Sequence, residues 1–97
     1  MRVHWTENAI KHLTDIHAYI SENSRIYAAR MVDRLTKNSE QIAVFPRSGR
    51  MVPEFRAEDI REVIERPYRI IYRTKPEQID VLAVIHGARQ IDPHMIN

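Results

Sequence analysis

The run from Ile60 to Arg89, IREVIERPYRIIYRTKPEQIDVLAVIHGAR, leaves this chain few ways to fold. Ile60–Arg66 alternates apolar and charged residues, Tyr68–Thr74 is almost all β-branched, aromatic or arginine, and Gln78–Ile85 is a nearly continuous aliphatic run. Such residues fit a pleated, half-buried surface and read as three strands. The connections, one holding Pro67 and the other Lys75-Pro76-Glu77, are of hairpin length. The spacing predicts an antiparallel meander. Its third strand should be central or well covered, because its apolar residues barely alternate.

Arginines mark the same stretch: Arg61, Arg66, Arg69, Arg73 and Arg89 lie on or beside the strands. Period-two geometry puts Arg69, Ile71 and Arg73 on one face of the middle strand and Tyr68, Ile70 and Tyr72 on the other. Charged side chains are rarely buried unless paired, so the aromatic face is expected to meet the helices. The arginine face is expected to stay at least partly open, as a site for a polyanion.

Upstream, Arg2–Trp5 reads as a short strand joining the meander. Thr6 is a suitable N-cap, Glu7 complements the helix dipole, and a helix follows to about Glu22 with Ile10, Leu13, Ile16 and Ile20 as its apolar stripe, widened by Ala9, His12 and Tyr19. Asn23 or Ser24 caps a second helix from Arg25 to about Val44, whose seam is Ala28, Val32, Leu35, Ser39 and Ile42. So short a turn makes the pair an antiparallel hairpin. Arg25, Arg30, Arg34 and Lys37 fall outside the seam and read as a solvated face. Phe45-Pro46 ends the helix, Arg47–Arg50 is a loop, and Met51–Asp59 reads as an irregular surface loop. The tail, Gln90–Asn97, is polar except for Ile91, Met95 and Ile96.

The expected product is one α+β domain over residues 1–97: an N-terminal strand, an antiparallel helical hairpin and a three-stranded antiparallel meander, forming one sheet with the helices on one face. Ninety-seven residues of 43% apolar composition suit one modest core. Trp5, Leu13, Ile16, Leu35, Ile70, Tyr72, Val81 and Ala83 should be largely buried, and Arg69 and Arg89 should be surface positions. The absence of cysteine removes disulfides and thiolate metal sites and fits a cytoplasmic protein. No apolar run approaches the ~18 residues of a membrane span. Net charge is only +2, but the 15 basic residues include 12 arginines. That excess suits bidentate recognition of carboxylate or phosphate, and equally reflects what a GC-rich coding sequence would produce.

No phosphate-binding glycine loop, nucleophile elbow or metal-ligand spacing is present, so no cofactor and no metal are expected. His4, His12 and His17 read as structural. The set with chemical potential is Glu54, Arg61, Arg69, Arg73, His86, Arg89 and His94. Cleaving RNA at a 2′-hydroxyl needs a base, an acid and cations on the crowded phosphorane, and these residue types could supply all three. Convergence depends on register: a one-residue slip across the Arg66-Pro67 turn moves Arg61 to the face opposite Arg69.

The run Tyr68-Arg69-Ile70-Ile71-Tyr72-Arg73, with Ile60-Arg61-Glu62 before it and His86-Gly87-Ala88-Arg89 after it, resembles the RelE/ParE superfamily of bacterial toxins, the toxic halves of type II toxin–antitoxin modules. Phe45-Pro46, Gly49-Arg50 and Val52-Pro53-Glu54 extend the resemblance over essentially the whole chain. It implies an antitoxin partner whose extended C-terminal segment wraps the toxin and which alone contacts operator DNA. For a RelE-like ribosome-dependent messenger-RNA endoribonuclease it implies Glu54, Arg69, Arg89 and His94 as the catalytic set. The strand Ile60–Arg66 lacks the lysines of those enzymes, and no tyrosine follows Tyr72. Ile60-Arg61-Glu62 and His86-Gly87-Ala88-Arg89 look more like ParE members, which poison DNA gyrase by binding and carry no known catalytic set. The favoured expectation is thus a non-enzymatic gyrase poison with Arg61, Arg69, Arg73, His86 and Arg89 as its binding surface. The ribonuclease is the alternative, and a non-toxic interaction domain of the same fold the second one.

Overall fold

Side-chain periodicity and capping chemistry set the order of elements in the computed structural model, which describes residues 1–96 and side chains through residue 94. The elements are β1 (Arg2–Trp5), α1 (Glu7–Ser21), α2 (Arg25–Val44), β2 (Arg50–Met51), β3 (Ile60–Glu65), β4 (Tyr68–Thr74) and β5 (Gln78–His86), followed by a 3-10 turn, Pro93–Ile96. Thr6 caps α1 by accepting the Ala9 N–H at 3.1 Å, and Ser24 caps α2 by accepting that of Tyr27 at 3.1 Å. No helix among the described residues is long and apolar enough to cross a membrane. Asn97 and the side chains of Met95 and Ile96 lie outside the described residues.

The five strands form one sheet in the order β1-β5-β4-β3-β2. The meander pairs antiparallel, while β1 runs parallel to β5, Val3 opposite Ile79 and Trp5 opposite Val81. The helical hairpin carries the chain from β1 at one edge of the sheet to β2 at the other, which leaves β1 and β5 joined by the long connection that parallel pairing requires. β5 is therefore interior, as its unbroken apolar run predicts. A register shift opposite Ile71 and Tyr72 turns Leu82 and Ala83 to the same side, away from the helices.

The helices cover the face carrying Tyr68, Ile70 and Tyr72, which pack with Ala9, Ile16, Met31, Leu35, Ile42, Ile79, Val81 and Val84. The stripe on α1 is rotated toward one side of the expected one: Ala9, expected only to widen it, is fully buried, whereas Ile10 is half exposed and Tyr19 exposed. Positions 9, 13, 16 and 20 track the helix's line of contact better than 10, 13, 16 and 20. On α2, Met31 is buried and Val32 only partly. Trp5 and Leu13, expected to be largely buried, are half-buried at the margin of this core; Ile16, Leu35, Ile70, Tyr72, Val81 and Ala83 are buried.

The opposite face differs most from expectation. It is closed by a second cluster in which Val52, Ile60, Ile71, Leu82, Ala83 and Ile91 pack with Phe55, Ala57 and Ile85. The segment read as a surface loop thus supplies a fully buried valine and a short edge strand, with Arg50 opposite Glu62. Two-residue strands and single buried valines leave no periodic signal to read. Arg56, in the same segment, has a φ of +50°, a backbone conformation unfavourable for a side chain with Cβ.

Tyr72 ties this segment to the sheet. Its hydroxyl donates to the Pro46 carbonyl at 2.8 Å and accepts the Gly49 N–H at 3.0 Å. Gly49 lies so close that an added Cβ would stand 2.6 Å from both the Glu62 carbonyl oxygen and the Tyr72 hydroxyl. Gly49→Ala should therefore cost about 1–3 kcal/mol of unfolding free energy. Urea denaturation checks this; an unchanged midpoint would mean that the approach is not close in solution.

Candidate functional site

Arg69 is the residue whose environment the sequence misjudges. Expected at the surface, it is 6% exposed. Its Nε donates to Glu62 at 2.8 Å, Nη1 to Glu54 at 3.3 Å and to the Arg89 carbonyl at 3.1 Å, and Nη2 to Glu54 at 3.1 Å and Glu62 at 2.5 Å. A guanidinium has five N–H donors, and all five are committed. Glu62, itself 1% exposed, also accepts from Arg50 Nε at 2.6 Å. Glu54 further accepts the Ile91 N–H at 3.2 Å. The Arg69 guanidinium beside Glu54 holds its carboxyl below the usual glutamate range, against partial burial and with help from the Ile91 N–H.

Glu62 was not among the expected site residues. The available signal was a glutamate sharing the face of Ile60 and Ile64 on a strand whose neighbour carries Arg69 on the same face. Breaking a buried pair leaves an uncompensated charge, so Arg69→Ala should cost about 3–5 kcal/mol of stability. Arg73→Ala should cost little, because Arg73 is only partly buried and its partner Asp59 lies 3.5 Å away in exposed surroundings. Equal losses in equilibrium unfolding would contradict this assignment.

The remaining expected residues divide by face. Arg61 pairs in register with Tyr72, so it lies on the face opposite Arg69, and its Nη1 donates to the Gly49 carbonyl at 2.9 Å. His94 is exposed, and its amide donates to Asp92. It therefore does not join Glu54 and Arg69 in the hydrogen-bonded cluster. His86 and Arg89 are exposed at the far end of β5. There they line a groove of about 320 Å³ between α1 and the β4–β5 end, together with His12, Asp15, Ile16, Tyr19, Tyr68, Val84 and Ile85. Tyr68 and His86 meet edge to face, 6.1 Å between centroids. Among the described residues, no group of three or more His, Cys, Asp or Glu is arranged to hold a metal ion.

Side chains of α1 and its N-cap bond the edge of β5 beside the end of β1, and of these His12 lines the groove. Thr6 Oγ1 donates to the Val81 carbonyl at 3.0 Å and Asn8 Nδ2 to that of Leu82 at 3.0 Å, while the Val84 N–H donates to His12 Nδ1 at 3.1 Å. Burial pushes the His12 imidazole below its ordinary value; Asp15 opposes this, and Arg89 and Lys11 add to it. Only an unprotonated Nδ1 can accept the Val84 N–H. With a depressed folded-state value, the unfolded chain binds the extra proton, so stability is complete above the ordinary histidine value of about 6.5 and declines as pH falls below it. The urea midpoint of the native protein should fall between about pH 7 and pH 5 by more than that of His12→Gln. Parallel profiles would remove His12 as the source.

Comparison with known proteins agrees with this architecture. A family model described as the ParE toxin of the type II toxin–antitoxin system parDE matches residues 3–91. The Sinorhizobium fredii protein Y4kP, named as a toxin, is 34% identical over 91 residues, covering 92% of this chain and 91% of the relative. Toxin RelE2 of Caulobacter vibrioides is 33% identical over 89 residues, covering 91% and 97%. Among solved structures, a chain of the chromosomal ParDE system of P. aeruginosa superposes with a TM-score of 0.72 at 21% identity, over 89% of this chain and 95% of that one. A YoeB/ParE toxin from Agrobacterium tumefaciens superposes with 0.60 at 17% identity, over 89% and 98%. Reaching across the helical hairpin, the meander and the tail to Ile91, the family match shows that this chain belongs to the ParE toxins of type II toxin–antitoxin systems.

Proposed function

We propose that this toxin arrests growth by binding DNA gyrase, as a cytoplasmic protein without a catalytic step of its own, and that a cognate antitoxin neutralises it. The observation carrying this reading is the saturation of Arg69. A ribonuclease would need that guanidinium free to meet a phosphate, and its five donors are spent inside the protein. Glu54, the base candidate, is engaged by Arg69 and by the Ile91 amide. A binding poison instead needs an accessible surface, and His86 and Arg89 at the α1 groove provide one with a cationic and aromatic character. Arg61 and Arg73, directed to local partners, have a smaller part in it.

The antitoxin's extended segment has apolar residues to cover: Tyr19, Ile26 and Tyr27 near the tip of the helical hairpin, and Val44 and Phe45 at its far end are all half or more exposed. Through that partner, and not directly, the toxin would reach operator DNA. The RelE name of one relative keeps messenger-RNA cleavage as the competing outcome of the test.

Purified toxin should inhibit gyrase supercoiling and leave ribosome-bound message uncut. Arg89→Ala should weaken the inhibition several-fold rather than abolish it, since binding energy is shared among anchors. Codon-position cleavage by the native protein would replace gyrase binding with the ribonuclease reading. Harmless induced expression would point to an interaction domain that has lost toxicity.

A further inference from the structure

We infer that Glu54 and Arg69 act as a clasp on the chain leaving β5, and that this clasp positions the Arg89 side chain in the α1 groove. The inference rests on Arg89 being part of the working surface and adds the means by which it is held there.

Beyond His86 the chain has little secondary structure to hold it. A turn follows, with the Gly87 N–H donating to the Pro67 carbonyl at 2.8 Å and the Arg89 N–H to that of His86 at 3.0 Å. Two bonds from side chains of distant origin then fix the backbone: Arg69 Nη1 to the Arg89 carbonyl and the Ile91 N–H to Glu54 Oε2. Glu54 comes from the segment before β3 and Arg69 from β4, so three parts of the chain meet at one ion pair. Ile91, 7% exposed, is the apolar end of the clasp, seated in the second core cluster.

The division at Arg89 is what gives the clasp its consequence. Its carbonyl is bound beneath the sheet, on the side of Glu54 and Arg69, while its side chain lines the groove on the helix side beside His12 and Asp15. A fixed backbone at this residue limits where the guanidinium can reach. An unfixed one would let a long, entropically costly side chain leave the groove for solvent. Glu54 and Arg69 are thus positioning residues, acting through Arg89 without touching the target.

Charge provides a direct readout, because Arg89 lies close enough to depress the His12 imidazole. His12 should be titrated by NMR in the native protein, Glu54→Ala, Arg89→Ala and the double variant, alongside gyrase inhibition. Arg89→Ala should raise the His12 value, Glu54→Ala should raise it in the same direction, and the double variant should raise it no further than Arg89→Ala. Inhibition should follow the same pattern, with a loss for Glu54→Ala no greater than the several-fold loss for Arg89→Ala and not multiplied in the double variant. Glu54→Gln, which keeps an acceptor for the Ile91 amide, should recover most of the native behaviour and guards against a folding defect. A His12 titration unmoved by Glu54→Ala in folded protein, or losses that multiply in the double variant, would overturn the clasp. If the titrations behave as expected and inhibition ignores all the variants, the clasp stands and the gyrase reading fails.

Discussion

A guanidinium can be taken out of water only if each of its N–H groups finds an acceptor, and that requirement shapes one whole side of this protein. Arg69 meets it with Glu62 from the neighbouring strand, Glu54 from the segment before it, and the carbonyl of Arg89 from the chain after β5. Each acceptor brings its own stretch of chain, so satisfying one charge also places a lid of Val52, Phe55 and Ile91 over the sheet. Glu62 is in turn shared with Arg50, which anchors the two-residue edge strand. The net result is a sheet covered on both faces, by helices on one side and by loop and tail on the other.

That closure bears on function through what remains available. On an open sheet, Arg69 would be a cation facing solvent, suited to a phosphate. Enclosed between two carboxylates, it is a structural charge with no donor left to offer. Accessible chemistry is displaced to the rim, where the end of β5 carries His86 and the chain beyond it carries Arg89. The groove there exists because β1 stops at Trp5, opposite Val81, while β5 continues to His86. Thr6, the cap of α1, and Asn8 and His12 from α1 satisfy part of the edge that a longer strand would have paired. Side chains used in this way blunt an edge that could otherwise pair with another chain.

Much of the fold was legible from residue order alone, because its signals are local. The strand Tyr68–Thr74 and the helix Arg25–Val44 stand at their expected bounds, Thr6 and Ser24 cap their helices, and the aromatic face of β4 meets the helices. Two-sided burial of β5 follows from an apolar run that does not alternate. The family assignment likewise rests on short motifs whose order along the chain is informative even when each is weak alone.

Tertiary structure decided what depends on distant residues finding one another. Sequence placed Arg69 on a defined strand face; only the arrival of Glu54 and Glu62 turned that position from exposed to buried, since the cost of burying a charge depends on partners that periodicity does not reveal. Register then separated Arg61 from Arg69, because facing residues share a side and Arg61 stands opposite Tyr72. Val52 and Ile91 were unreadable for the same reason: each is a single apolar residue in an irregular segment, and its burial comes from a cluster drawn from the whole chain. Local pattern determined the elements and their faces; long-range pairing determined which charges are spent on structure and which stay free to act.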